Sequence, residues 1–109
     1  MAQLLLVSHD AESRLAIEPA LYASGHHVHV ADTAGDAIDL LSEVHFDAVL
    51  CEADLPDVKA RKLMRHIKDV YGIPAIAFGH FFNKHRSWLS LPPKHLNGYD
   101  LAKMVERAL

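Results

Sequence analysis

The chain has 109 residues, 50% of them hydrophobic and 23% charged, which is the composition of a single globular domain spanning 1–109. Eleven Lys and Arg against fourteen Asp and Glu give a formal net charge of −3 with no basic stripe, which argues against this domain gripping nucleic acid through phosphates. The opening apolar run, residues 4–7, is too short for a signal-peptide core or a membrane span, and the single cysteine, Cys51, excludes an internal disulfide and any Cys-x-x-Cys site. A cytoplasmic domain with no membrane contact is the expectation.

In chain order, residues 4–7 read as a buried strand. Asp10 is a natural N-cap for a helix through about residue 23, with Leu15, Ile17, Leu21 and Tyr22 as its apolar side. Gly25 is placed to end this helix, and Pro19 to remove one backbone bond and bend it. Residues 27–30 form a short strand. Thr33 then caps a helix in which Ala34, Ala37, Ile38 and Leu41 follow the i, i+3, i+4, i+7 rule.

Residues 46–51, apolar apart from Asp47, read as a third strand buried on both faces. A loop over 52–58 leads into a helix carrying Leu63, Met64, Ile67 and Val70. Gly72 and Pro74 punctuate, and 75–78 make a fourth strand. Residues 87–91 form a fifth, stopped by Pro92 and Pro93. Asn97 caps a last helix, with Asp100 as a box-like partner and Leu101, Met104, Val105 and Ala108 as its stripe.

Strands and helices in strict alternation imply a parallel sheet covered on both faces, joined by right-handed crossovers. Five strands in this length fit a flavodoxin-like α/β fold of order 2-1-3-4-5, whose working site lies at the carboxyl ends of the first, third and fourth strands. Function has to be read from the residues there.

Three stretches carry a resemblance over essentially the whole chain. LLLVSHDAESR (4–14) is an apolar strand running into an acidic cluster, FDAVLCEADLP (46–56) a strand with an acidic residue four before a proline, and GIPAIAFG (72–79) a further strand. Together they resemble the receiver domain of two-component response regulators. The resemblance implies a signalling domain, not an enzyme, that takes a phosphoryl group from a histidine kinase on an aspartate beside a magnesium ion.

The family's functional positions are changed in this sequence. The magnesium-holding acidic pair falls on Ser8 and His9, neither a natural ligand for a hard cation. Asp10 follows, but it fits the helix N-cap better. The phosphoacceptor position falls on Glu52, whose carboxylate lies one methylene further out than an aspartate's, so in-line geometry is lost. The hydroxyl residue that closes the fourth strand falls on Gly79, and the lysine before the fifth-strand proline falls on Leu91. Four changed roles read as a degenerate, phosphorylation-independent pseudo-receiver with no catalytic residues, metal or cofactor.

The segment between Phe78 and Trp88 has nine residues, GHFFNKHRS, while a crossover with a full helix needs at least about 10–12. The fourth helix is therefore expected to be missing or cut to about one turn. Phe81, Phe82 and Trp88 fall in that segment and either fold inward to fill the gap or form a binding patch. With Leu101, Met104 and Val105 of the last helix they make the candidate interaction surface, for a signalling protein or a second copy as a homodimer. No small-molecule substrate is implied.

Other readings are plainer or compete. Glu52 is a standing phosphomimic or, more simply, a solvated relic carboxylate. Asp54 is a possible substitute phosphoacceptor, and with Asp10 or Glu52 could improvise a metal site in a residually phosphorylatable receiver. His80 and His85 with His9 could bind a transition metal, in a metal- or pH-responsive module drawing on the chain's nine histidines. His26, His27 and His29 read as surface histidines about an edge strand, and Cys51 as core.

Overall fold

The structure is a computed structural model, and the residues it describes are 2–52 and 55–78 together with Arg107 and Leu109. Within them the chain runs β1 (Gln3–Val7), α1 (Ala11–Ala23), β2 (His27–Ala31), α2 (Ala34–Glu43), β3 (Ala48–Glu52), α3 (Ala60–His66), a π-helical turn (Ile67–Tyr71) and β4 (Ala75–Phe78). The four strands are all parallel, in the order β2-β1-β3-β4. That is the 2-1-3-4 part of the expected order. The segments expected to form a fifth strand, a missing or shortened fourth helix and a last helix lie outside the described residues, apart from Arg107 and Leu109.

The alternation of side chains along each strand feeds two cores. Leu5, Val7, Val49, Cys51 and Ala77 point to one face and pack under Ala34, Ala37 and Leu41 of α2 and Leu63 and Met64 of α3. Leu4, Leu6, Leu50, Ile76 and Phe78 point to the other, against Ile17 and Leu21 of α1. Burial on both faces is why β1 and β3 read as continuous apolar runs. Asp47, the one charged residue of the run 46–51, precedes β3 and takes the Gln3 N–H on Oδ2 at 2.8 Å. The strand itself begins at Ala48 and extends to Glu52.

Both N-caps form as the sequence indicates. Asp10 accepts from the Glu12 N–H and Thr33 from the Asp36 N–H, at the starts of α1 and α2. Pro19 lies within α1, which continues to Ala23, and Gly25 follows at φ 90°, a left-handed conformation suited to glycine. The apolar side of α1 is corrected. Leu15 is 75% exposed and Tyr22 50%, while Ser13 and Ala20 turn inward with Ile17 and Leu21. Val70 is also exposed, because the π-helical turn is wider than an α-turn and carries it off the stripe of Leu63 and Ile67. Gly72, at φ 66°, ends that turn by donating to the Ile67 and Lys68 carbonyls.

Candidate functional site

The carboxyl ends of β1 and β3 lie side by side, Val7 opposite Cys51, so the residues that follow each strand meet. Ser8 extends the ladder by one bond, its N–H donating to the Ala31 carbonyl at 2.9 Å, and it is fully buried. Glu52 is the last residue of β3 and is half-buried. Its Oε1 accepts from the Ser8 hydroxyl at 2.6 Å, from the His9 backbone N–H at 3.0 Å and from the Asp10 backbone N–H at 3.3 Å. Glu52 is therefore not a solvated relic. Its carboxylate is drawn back onto the β1–α1 turn and fastened there.

The surrounding side chains are committed in the same way. Asp10 spends one carboxylate oxygen on the Glu12 N–H at 3.3 Å and the other on the Ser13 hydroxyl at 2.9 Å, both inside α1. His9 is exposed. Arg14 reaches back from α1 and donates through Nη1 to the Ser8 carbonyl at 2.7 Å and to Asp32 Oδ1 at 2.8 Å, tying the ends of β1 and β2. Among the described residues no group of three or more His, Cys, Asp or Glu is placed to hold a metal ion.

A second carboxylate acts at the neighbouring helix. Asp57, just after Pro56, accepts the Ala34 N–H on Oδ1 and the Gly35 N–H on Oδ2, each at 3.0 Å, and also its neighbour Val58's N–H. These bonds to the start of α2 hold its carboxyl below the ordinary carboxylate range. The β3–α3 loop is thus pinned to α2 by Asp57, while Glu52 pins β3 to the β1–α1 turn. Reading the sequence missed Asp57, Arg14 and Asp32. The available signal was an aspartate directly after the loop proline, with partners 23 and 22 residues earlier.

The histidines about β2 differ from one another. His27 is exposed, and His29 is half-buried with its ring edge-on to Phe46 at 5.3 Å. His26 is not a surface residue: it is buried, and its Nδ1 accepts the Ala2 N–H at 3.2 Å. Cys51 lies fully buried within β3. Asp54, Gly79, His80, Phe81, Phe82, His85, Trp88, Leu91, Leu101, Met104 and Val105 lie outside the described residues. Among those described, no helix is long and apolar enough to cross a membrane.

The four-stranded parallel sheet, with Glu52 meeting the β1–α1 turn where β1 and β3 end, is a fold that solved receiver domains share. A response regulator receiver domain protein from Clostridium thermocellum superposes with a TM-score of 0.84 at 18% identity, covering 99% of this chain and 94% of that one. The chemotaxis response regulator CheY4 of Vibrio cholerae gives 0.84 at 17%, covering 100% and 99%. The response regulator TrrA from Thermotoga maritima, solved in complex with Mg2+ and BeF, gives 0.83 at 17%, covering 100% of both chains. These likenesses establish the fold.

In sequence, the chain is 32% identical over 76 residues to the transcriptional regulatory protein AfsQ1 of Streptomyces coelicolor, a match covering 70% of this chain and 34% of that protein. The matched stretch thus spans about a third of the relative's length. No family model matches the chain. By fold and by this sequence match, the chain is a response-regulator receiver domain.

Proposed function

We propose that this receiver domain is a pseudo-receiver, working without phosphorylation and acting by contact with a signalling protein or with a second copy of itself. One observation carries the reading: the Glu52 carboxylate, at the phosphoacceptor position, is held by three donors from Ser8, His9 and Asp10. A phosphoryl-accepting pocket needs carboxylates that converge on a hard cation, which in turn neutralises the phosphoryl oxygens. Here Ser8 supplies a hydroxyl, His9 and Asp10 point their N–H groups inward, and Asp10's own carboxylate is turned to α1.

The positive ends of those dipoles favour an anion, and Glu52 is the anion they hold. A magnesium ion entering between Ser8 and Glu52 would have to break the 2.6 Å bond and would meet no second carboxylate from β1. In this proposal the docking surface is Phe81, Phe82 and Trp88 with Leu101, Met104 and Val105.

An amide NMR titration of the full chain with Mg2+ tests the reading. Saturable shifts at residues 8–10 and 52 are expected to be absent in the wild type. They are expected to appear in the triple variant Ser8→Asp, His9→Asp, Glu52→Asp, which restores converging carboxylates. Saturable wild-type shifts at those residues contradict the reading.

A further inference from the structure

β2 is the edge strand of the sheet, and among the described residues no strand lies along its outer side. The ladder decides which backbone groups face outward. The His27 N–H donates to the Ala2 carbonyl and the Ala31 carbonyl accepts from the Ser8 N–H, each at 2.9 Å. Residues 27, 29 and 31 therefore turn their backbone groups toward β1, and Val28 and Val30 turn theirs away.

The outward N–H and C=O groups of Val28 and Val30 form a self-complementary set. In an antiparallel pair with a two-fold axis at His29, Val28 of each copy faces Val30 of the other, and each such pair exchanges two hydrogen bonds. The strand HVHVA contains neither lysine nor proline, and its register to β1 runs without a bulge. These are the devices that commonly keep a free edge from pairing.

One of the outward groups is already engaged. Tyr22, in the last turn of α1, donates its hydroxyl to the Val28 carbonyl at 3.1 Å while half its surface stays exposed. A strand approaching from outside has to displace that hydroxyl to reach the carbonyl. We propose that the free edge of β2 is a self-association surface, pairing antiparallel with a second copy of the chain, and that Tyr22 holds it closed in the single chain.

The test compares the full chain with Tyr22→Phe by sedimentation velocity over a range of concentrations, with amide hydrogen exchange on the same samples. Removing a competing hydroxyl is expected to tighten dimerisation about 5-fold per copy, roughly 25-fold for the two. The Val28 and Val30 amides should become protected as the dimer fills. Adding Val30→Pro removes an outward donor without touching the β1 ladder, and should return Tyr22→Phe to the wild-type equilibrium. The proposal is overturned if Tyr22→Phe associates no more tightly than the wild type. It is overturned equally if association leaves the Val28 and Val30 amides as exchangeable as in the monomer.

Discussion

The Ser8 hydroxyl donates to the Glu52 carboxylate at 2.6 Å, closing the gap between the ends of β1 and β3 with a bond internal to the protein. Ser8 is fully buried, so the bond also satisfies a group that has no access to water. Ser8→Ala is predicted to cost about 1–2 kcal/mol, the range for a hydrogen bond to a partly exposed charged acceptor. The His9 and Asp10 amides keep Glu52 near its place in that variant. Urea unfolding monitored by circular dichroism measures the loss, and an unchanged midpoint counts against the bond as a structural tie.

Asp57 gives the fold an acid-sensitive fastening. Its carboxyl is lowered from the ordinary 3.8 by the Ala34 and Gly35 N–H groups, so the native state binds its proton less readily than the unfolded chain. The stabilisation is complete above the ordinary value and is lost as pH falls below it through the lower native value. Asp57→Asn should flatten that part of the stability–pH curve and speed hydrogen exchange at the Ala34 and Gly35 amides. A wild-type and variant pair with the same acid slope contradicts the assignment.

Cys51 is predicted to be chemically silent while the protein is folded. Burial within β3 pushes its thiol well above the ordinary value, and the neighbouring Glu52 charge adds to the shift. An aromatic disulfide reagent should therefore label it only in denaturant. Fast labelling of the native protein at neutral pH shows instead that the strand opens.

Ile17 and Leu15 lie two residues apart on α1 and differ in burial, at 0% and 75% exposure. Ile17→Ala is predicted to cost about 2–5 kcal/mol through lost burial and an unfilled cavity. Leu15→Ala should stay within about 0.5 kcal/mol of the wild type. Equal losses in denaturant unfolding would place the helix in a different rotation from the one described.

This pair also marks how far the sequence could be read. The apolar residues of α1 go almost all the way round, so periodicity alone cannot choose between Leu15 with Tyr22 and Ser13 with Ala20 as the inward partners of Ile17 and Leu21. In α2 the inward set Ala34, Ala37 and Leu41 was legible, with Thr33 as its cap, but Ile38, read into the same stripe, lies at its margin and is exposed. Asp10 was legible as a cap for the same local reason, since its bonds reach only two and three residues along the chain.

Glu52 was legible as a position but not as a bonded group, because its partners come from residues 42 to 44 earlier, across two crossovers. Asp57 was missed for a like reason, its partner amides belonging to another helix. His26 looks like its neighbour His27 in sequence, yet it follows the left-handed Gly25 and turns inward to the Ala2 N–H.

The central claim is that Glu52, held by Ser8, His9 and Asp10, closes this receiver to phosphoryl transfer. The most direct test is intact-mass spectrometry of the full chain after incubation with a small-molecule acyl phosphate donor and Mg2+. The account predicts an unmodified mass. A phosphoryl adduct that is discharged by hydroxylamine, as an acyl phosphate is, would contradict it.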